Sequence, residues 1–224
     1  MKNPVLILHG ALGSVTQLDR VKTSFETQGR DVFSLNFSGH GGSPFQPDFG
    51  IEQFTEDTFQ FSKIHRLKQV DIFGYSMGGY VALWFAKNYP DCVGRILTLG
   101  TKFDWTEESA AKEVKKLNPD KILDKIPAFA RMLEHRHAPA DWKDLLGKTA
   151  NMMLALGKAP LLTKAILENI QHAATICLGD QDDMADRSYS EQVAGFLPNG
   201  KFILLQNTQH PIEKVDLKNI LDLI

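Results

Sequence analysis

The chain has 224 residues, 43% of them hydrophobic, which is enough to fill a core without a disulfide framework. Its 25 Lys plus Arg against 27 Asp plus Glu leave a formal charge of −2 with no long run of one sign, so neither a phosphate-tracking surface nor a nucleic-acid partner is expected. The two cysteines, Cys92 and Cys177, have no CxxC or Cys/His spacing that would point to zinc or a redox motif, and read as isolated thiols.

The first apolar run, Val5–Leu8, is too short for a signal-peptide core. The longest, Tyr80 to Ala86, falls far below the ~20 residues of a spanning helix. A soluble, cytoplasmic protein is expected.

In chain order, short β-rich runs alternate with segments of helical period, the signature of βαβ units and a parallel sheet. The strand candidates are Val5–Leu8, Asp31–Phe37, Val70–Gly74, Arg95–Leu99, Ala174–Leu178 and Lys201–Leu205. Between them Leu18, Val21 and Phe25 repeat at helical spacing. So do Ile51, Phe54, Thr58 and Phe61, with His65 on the same stripe as a partly buried side chain, and then Met77, Tyr80, Val81 and Trp84.

After Leu99 the rhythm breaks, because about 70 residues pass before the next strand where a crossover needs only one helix and two short loops. Thr106 with Glu107 and Glu108 suits a helix start that Asn118-Pro119 then stops. Asp120–Ile126, Ala128–Glu134 and Asp141–Leu156 read as further helices of an inserted cap. Pro160–Gln171 reads as the returning crossover helix, and Ile212 to Ile224, after Pro211, as a final amphipathic stretch. The expected organisation is an α/β core over residues 1–102 and 158–224, a mostly parallel, doubly wound sheet of about six strands, with a helical cap insertion over 103–157.

The segment Gly74-Tyr75-Ser76-Met77-Gly78 follows an apolar strand and opens an amphipathic helix. Glycines on both sides of a serine relieve crowding in a sharp strand-to-helix turn, the setting of a nucleophile elbow that would hold Ser76 above the carboxyl end of the sheet. The bland alternative is a tight turn with Ser76 as a helix cap.

At this point the sequence resembles the α/β-hydrolase superfamily, in its serine-nucleophile branch. Three further segments match that pattern in order. His9-Gly10-Ala11-Leu12-Gly13 is similar to the HGxxG loop after the first strand, and by that match the amides of Ala11 and Met77 are the oxyanion donors, with His9 structural. Cys177 to Asp183 is similar to the acid-bearing loop, whose spacing selects Asp182, with Asp183 next and Asp180 also near. His210 stands where the family carries its histidine, with Gln209 in place of the frequent preceding glycine. A fourth segment, Gly39-His40-Gly41-Gly42-Ser43, resembles a structural GHGxS turn.

The resemblance implies a triad of Ser76, Asp182 and His210. Serine is scarcely ionised near neutrality, whereas imidazole can take and return a proton there, and a carboxylate fixes its tautomer. The expected function is a serine hydrolase cleaving esters or thioesters of small to medium acyl groups, with no cofactor and no metal. His135 and His137, two apart, point in different directions on a helix and make no metal pair.

Trp105, Phe129, Met132, Trp142, Met152 and Met153 could roof an acyl pocket. Thr101, Lys102 and Phe103 follow the fourth strand at the edge where open sheets bind ligands, and Lys102 could attract an anion. Two rivals remain: a carbon–carbon bond hydrolase or lyase of the same fold, and a non-catalytic small-ligand receptor.

Overall fold

The computed structural model describes residues 2–224. Six parallel strands form one sheet: β1 (Val5–Leu8), β2 (Val32–Ser34), β3 (Val70–Tyr75), β4 (Val93–Leu99), β5 (Ala174–Gln181) and β6 (Gly200–Gln209), in the order β2-β1-β3-β4-β5-β6. The central strands are buried on both faces, as continuous apolar runs such as Val5-Leu6-Ile7-Leu8 require. Alternation along β1 splits the core. Leu6 and Leu8 pack with Tyr80, Leu83 and Phe85 on one face, Val5 and Ile7 with Val21, Phe25 and Ile220 on the other.

Helices α1 (Asp19–Thr27), α2 (Ile51–Ile64) and α3 (Met77–Asn88) lie between the first strands, on the stripes the sequence predicts. His65 departs from its stripe. It follows the last turn of α2, exposed, with its ring against Phe61 and Phe33.

Between β4 and β5 run α4 (Glu107–Val114), α5 (Pro119–Lys125), α6 (Pro127–His137) and α7 (Trp142–Lys158). Thr106 and Ser109 form a reciprocal capping box at the start of α4, and Asp141 caps α7. Asn118-Pro119 does not stop α4, which ends at Val114. Its asparagine caps α5 and its proline occupies the first turn, where no N–H is missed. Ile122, Ala130, Leu133, Trp142 and Leu146 give these helices an apolar cluster of their own.

Three expectations are corrected. The second strand ends at Ser34 because the Asn36 side chain accepts from Val15 N and donates to Gly41 O, turning the chain into a loop. The crossover over 160–171 holds only the short α8 (Lys164–Leu167), since Leu162 N is tied to the Tyr80 hydroxyl at 3.0 Å and Thr163 caps a fresh start. The C-terminal stretch is three 3₁₀ turns, Ile212–Lys214, Leu217–Asn219 and Leu221–Leu223, the second capped by Asp216, rather than one helix. Helix α9 (Arg187–Phe196) links β5 to β6.

One buried ion pair ties the chain's ends to the sheet. Arg30 Nη2 donates to Asp71 Oδ2 at 2.7 Å, with side chains only 3% and 8% exposed. The same guanidinium reaches the Asn3 and Ile224 carbonyls, while Asp71 Oδ1 accepts from Arg95 N and Asn3. Removing the carboxylate strands a buried cation, a loss of about 3–5 kcal/mol. Urea unfolding of Asp71→Ala is expected to show a loss of that size, whereas a fall under about 1 kcal/mol, typical of exposed pairs, would refute it.

Candidate active site

The turn from β3 into α3 places Ser76 at φ 52°, ψ −119°, a backbone conformation that costs a non-glycine residue free energy. Its backbone is fastened on both sides. Ser76 N donates to Leu99 O at 2.8 Å, and Ser76 O accepts from the Thr101 hydroxyl at 2.9 Å and Gly79 N at 3.0 Å. A Cβ on Gly78 would collide with the Leu8 carbonyl, so this glycine is what lets α3 pack against β1 immediately after the serine.

Asp182 and His210 come together at the carboxyl ends of β5 and β6. His210 Nδ1–H donates to Asp182 Oδ2 at 2.8 Å, with side chains 9% and 2% exposed. The other carboxylate oxygen accepts from Met184 N at 2.8 Å and Ala185 N at 3.1 Å. With Nδ1 protonated by this pairing, Nε2 carries the lone pair. The Tyr75 hydroxyl donates to the His210 carbonyl at 3.1 Å. Gly100, at φ +62°, packs so close that a Cβ there would lie 3.0 Å from Asp182 Oδ2 and 3.1 Å from His210 Nδ1.

The neighbouring acids take other places. Asp180 Oδ1 accepts from Thr208 N at 3.0 Å, and Asp183 is exposed. Gln209 ends β6 with its side chain bonded to Lys214, and His210 follows directly.

Ser76 and His210 border one cavity of about 390 Å³, together with Gly10, Ala11 and Met77. No Ser76–His210 hydrogen bond forms among the described residues; such bonds are often loose before substrate arrives. Met77 opens α3, so its N–H has no acceptor within that helix, and the Ala11 N–H has no protein acceptor among the described residues. Of the expected roof, Trp105, Phe129, Met152 and Met153 line the cavity. Met132 and Trp142 instead pack within the inserted helices. Lys102 also lines it, paired with Asp104 at 2.7 Å, while Phe103 is buried against Tyr80.

Three fully buried histidines tie the loops around the cavity together. His9 Nδ1–H donates to Gly10 O at 2.8 Å and its Nε2 accepts from Phe37 N at 3.2 Å. His137, on α6, accepts from Gly41 N at 3.0 Å and donates from Nε2 to Leu12 O at 3.1 Å. Between them lies His40, whose Nδ1–H donates to Ser38 O; its ring is 5.0 Å from His9 and 5.8 Å from His137.

Each of these acceptor nitrogens must stay unprotonated. Burial lowers His9 to about 4, against its bond to Gly10, lowers His137 to about 4, against its bond to Leu12, and holds His40 well below 6.5. His9 and His40 were legible as structural from their glycine-rich settings. The role of His137 was not, since its partners are about a hundred positions away in sequence.

A profile described as alpha/beta hydrolase fold matches residues 3–140 of the chain. The abhydrolase domain-containing protein C22H12.03 of Schizosaccharomyces pombe is 34% identical over 97 residues, 43% of this chain and 36% of that protein. The sn-1-specific diacylglycerol lipase ABHD11 of Mus musculus is 31% identical over 96 residues, 42% of this chain and 31% of that protein. The matched part thus spans about a third of the length of these curated relatives. Among solved structures, the enol-lactonase from Burkholderia xenovorans LB400 superposes with a TM-score of 0.78 at 17% identity, covering 99% of this chain and 91% of that one. No helix among the described residues is long and apolar enough to cross a membrane.

The histidine cluster sets an acid limit. The native state keeps the His9 and His137 rings neutral down to about pH 4 while the unfolded chain protonates them near 6.5, so their contribution to stability is full above pH 6.5 and drains as the pH falls toward 4. Urea midpoints measured from pH 7.5 to 4 are expected to fall across that window, and to fall less steeply in His137→Gln. An unchanged slope in that variant would show that other groups set the limit.

Proposed function

From the premise that the chain belongs to the alpha/beta hydrolase fold family, we propose that it is a serine hydrolase cleaving carboxylic esters or thioesters of small to medium acyl groups. The observation that carries this reading is the meeting of a strained Ser76 and a carboxylate-oriented His210 at one cavity.

In the proposed cycle Ser76 Oγ attacks the acyl carbonyl as its proton passes to His210 Nε2. The Asp182 carboxylate steadies the imidazolium. The carbonyl oxygen, now negative, is held by the Ala11 and Met77 amides, fixed donors of which one is typically worth a factor of ~10²–10³. When the C–O or C–S bond breaks, His210 returns the proton to the leaving alcohol or thiol. Water then attacks the acyl-serine, giving its proton to His210 and thence to Ser76, and the acid leaves. No residue of this cycle requires a cofactor. We further propose that residues 103–157 act as the cap that shapes the substrate cavity over a core of 1–102 and 158–224.

Short p-nitrophenyl esters and a fluorophosphonate probe test the cycle. Ser76→Ala and His210→Ala are expected to abolish labelling and turnover while the far-ultraviolet spectrum is kept. Asp182→Asn should lose ~10⁴ in kcat, through the wrong imidazole tautomer, with Asp183→Asn near the parent. A parent protein that remains unlabelled, or labelling that survives Ser76→Ala, would reject the assignment.

A further inference from the structure

Among the charged groups that border the cavity, Lys102 and Lys116 are already paired, with Asp104 at 2.7 Å and Glu113 at 2.8 Å. Arg136, on α6, is different. It borders the same cavity, is half-buried, and forms no ion pair with any Asp or Glu among the described residues. Its guanidinium, with five N–H donors, donates from Nη1 to Leu12 O at 2.9 Å and from Nη2 to the Met132 thioether at 3.1 Å, a weak acceptor. The acid whose field it feels is Glu213, whose carboxylate is bonded to Gln17 instead. Burial accordingly works against its charge, the condition of a cation kept for an absent counter-charge.

Position narrows what that counter-charge is. The carbonyl that Arg136 holds belongs to Leu12, the next residue after Ala11, and one residue step of chain is ~3.8 Å. The guanidinium is therefore bonded to the residue next to the proposed oxyanion donor and borders a chamber whose other walls are largely Leu, Ile, Met and aromatic side chains. Arginine is the side chain whose planar fork matches a carboxylate with two parallel hydrogen bonds.

We propose that Arg136 selects substrates carrying a carboxylate close to the scissile ester or thioester, which it pairs with inside the cavity. The inference rests on the serine-hydrolase reading for its chemistry, but not for its binding.

Two matched pairs of esters test it and locate the anion. Mono-p-nitrophenyl adipate against p-nitrophenyl hexanoate puts the charge on the acyl half. 4-Carboxyphenyl hexanoate against 4-carbamoylphenyl hexanoate puts it on the leaving group. In one pair the parent enzyme is expected to favour the anion in kcat/KM by roughly 10–100-fold, the scale of a charge-assisted hydrogen-bond pair. Arg136→Met should abolish that ratio and Arg136→Lys keep part of it, a rescue that a merely structural role would not give. The ratio is read rather than the rate, so a general loss of activity cancels.

Calorimetry on Ser76→Ala, with monomethyl adipate against methyl hexanoate and with 4-carboxyphenyl hexanoate against 4-carbamoylphenyl hexanoate, separates the two claims. Tighter binding of the anion, lost when Arg136→Met is added, supports the anion site whether or not any ester is turned over. Equal binding within both pairs, or a kcat/KM ratio unmoved by Arg136→Met, overturns it even if Ser76 is labelled and hydrolysis is fast.

Discussion

The site depends on holding one residue, Ser76, in a backbone conformation it would not choose. A positive φ on a serine costs on the order of 1–3 kcal/mol, and it persists only where the surroundings over-determine it. Here they do. The serine's own N–H is taken by Leu99 of the adjacent strand and its carbonyl by Thr101 and Gly79, so relaxing φ would break hydrogen bonds to β4, to the loop after it and to α3 together. The same fastening turns the side chain off the helix axis and up toward the cavity. Because β3 is central and buried throughout, and β4 is buried from Ile96 to Leu99 beside the turn, the cost of the turn is carried by the packed interior of the sheet.

Opposite the serine, precision comes from loops, and loops need other anchors. Asp182 is fixed by two backbone N–H groups just downstream of it, and the His210 carbonyl is fixed by Tyr75, the residue that precedes the serine. One strand end thus positions both the proposed nucleophile and the backbone of the proposed base. The loop of residues 10–13 is tied through His9 and His137 to the following glycine-rich turn and to α6. That arrangement makes the inserted helices more than a cover: α6 grips the loop bearing the proposed oxyanion donor Ala11 through two adjacent residues, Arg136 and His137, both bonded to the Leu12 carbonyl.

Much of the fold could be read from the chain because its strands are short apolar runs with both faces buried, for which local pattern and tertiary role coincide. The first inserted helix was legible for a related reason, since Thr106 announces its start, whereas Asn118, read as a stop, caps the next helix instead. Reading failed where a distant partner overrides local preference. Tyr80 reaches Leu162 and keeps the crossover from one long helix, and Asn36 bonds across to Val15 and ends β2 early. In the site, Ser76 was legible from its flanking glycines, whereas choosing Asp182 among three nearby acids depended on spacing learned from a family. Structure separates them by what each carboxylate accepts: His210 and two amides for Asp182, Thr208 N for Asp180, and exposure for Asp183. Arg136 carried no local signal, since an arginine on an amphipathic helix reads as solvated surface until its missing partner is seen.

The two kinds of similarity divide along the same line. Sequence identity to the relatives is confined to less than half of the chain, while the superposition on a solved hydrolase-fold structure runs over 99% of it. A parallel sheet can be rebuilt from many apolar sequences because burial asks only for volume and pattern. In this chain the carboxyl end of the sheet supplies the strained serine and the oriented imidazole, and the inserted helices supply a cation with no carboxylate partner beside an apolar chamber. The Arg136 guanidinium thus does two things at once: its bond to the Leu12 carbonyl fixes the loop after β1, and its lack of a carboxylate partner leaves it able to receive the proposed anion.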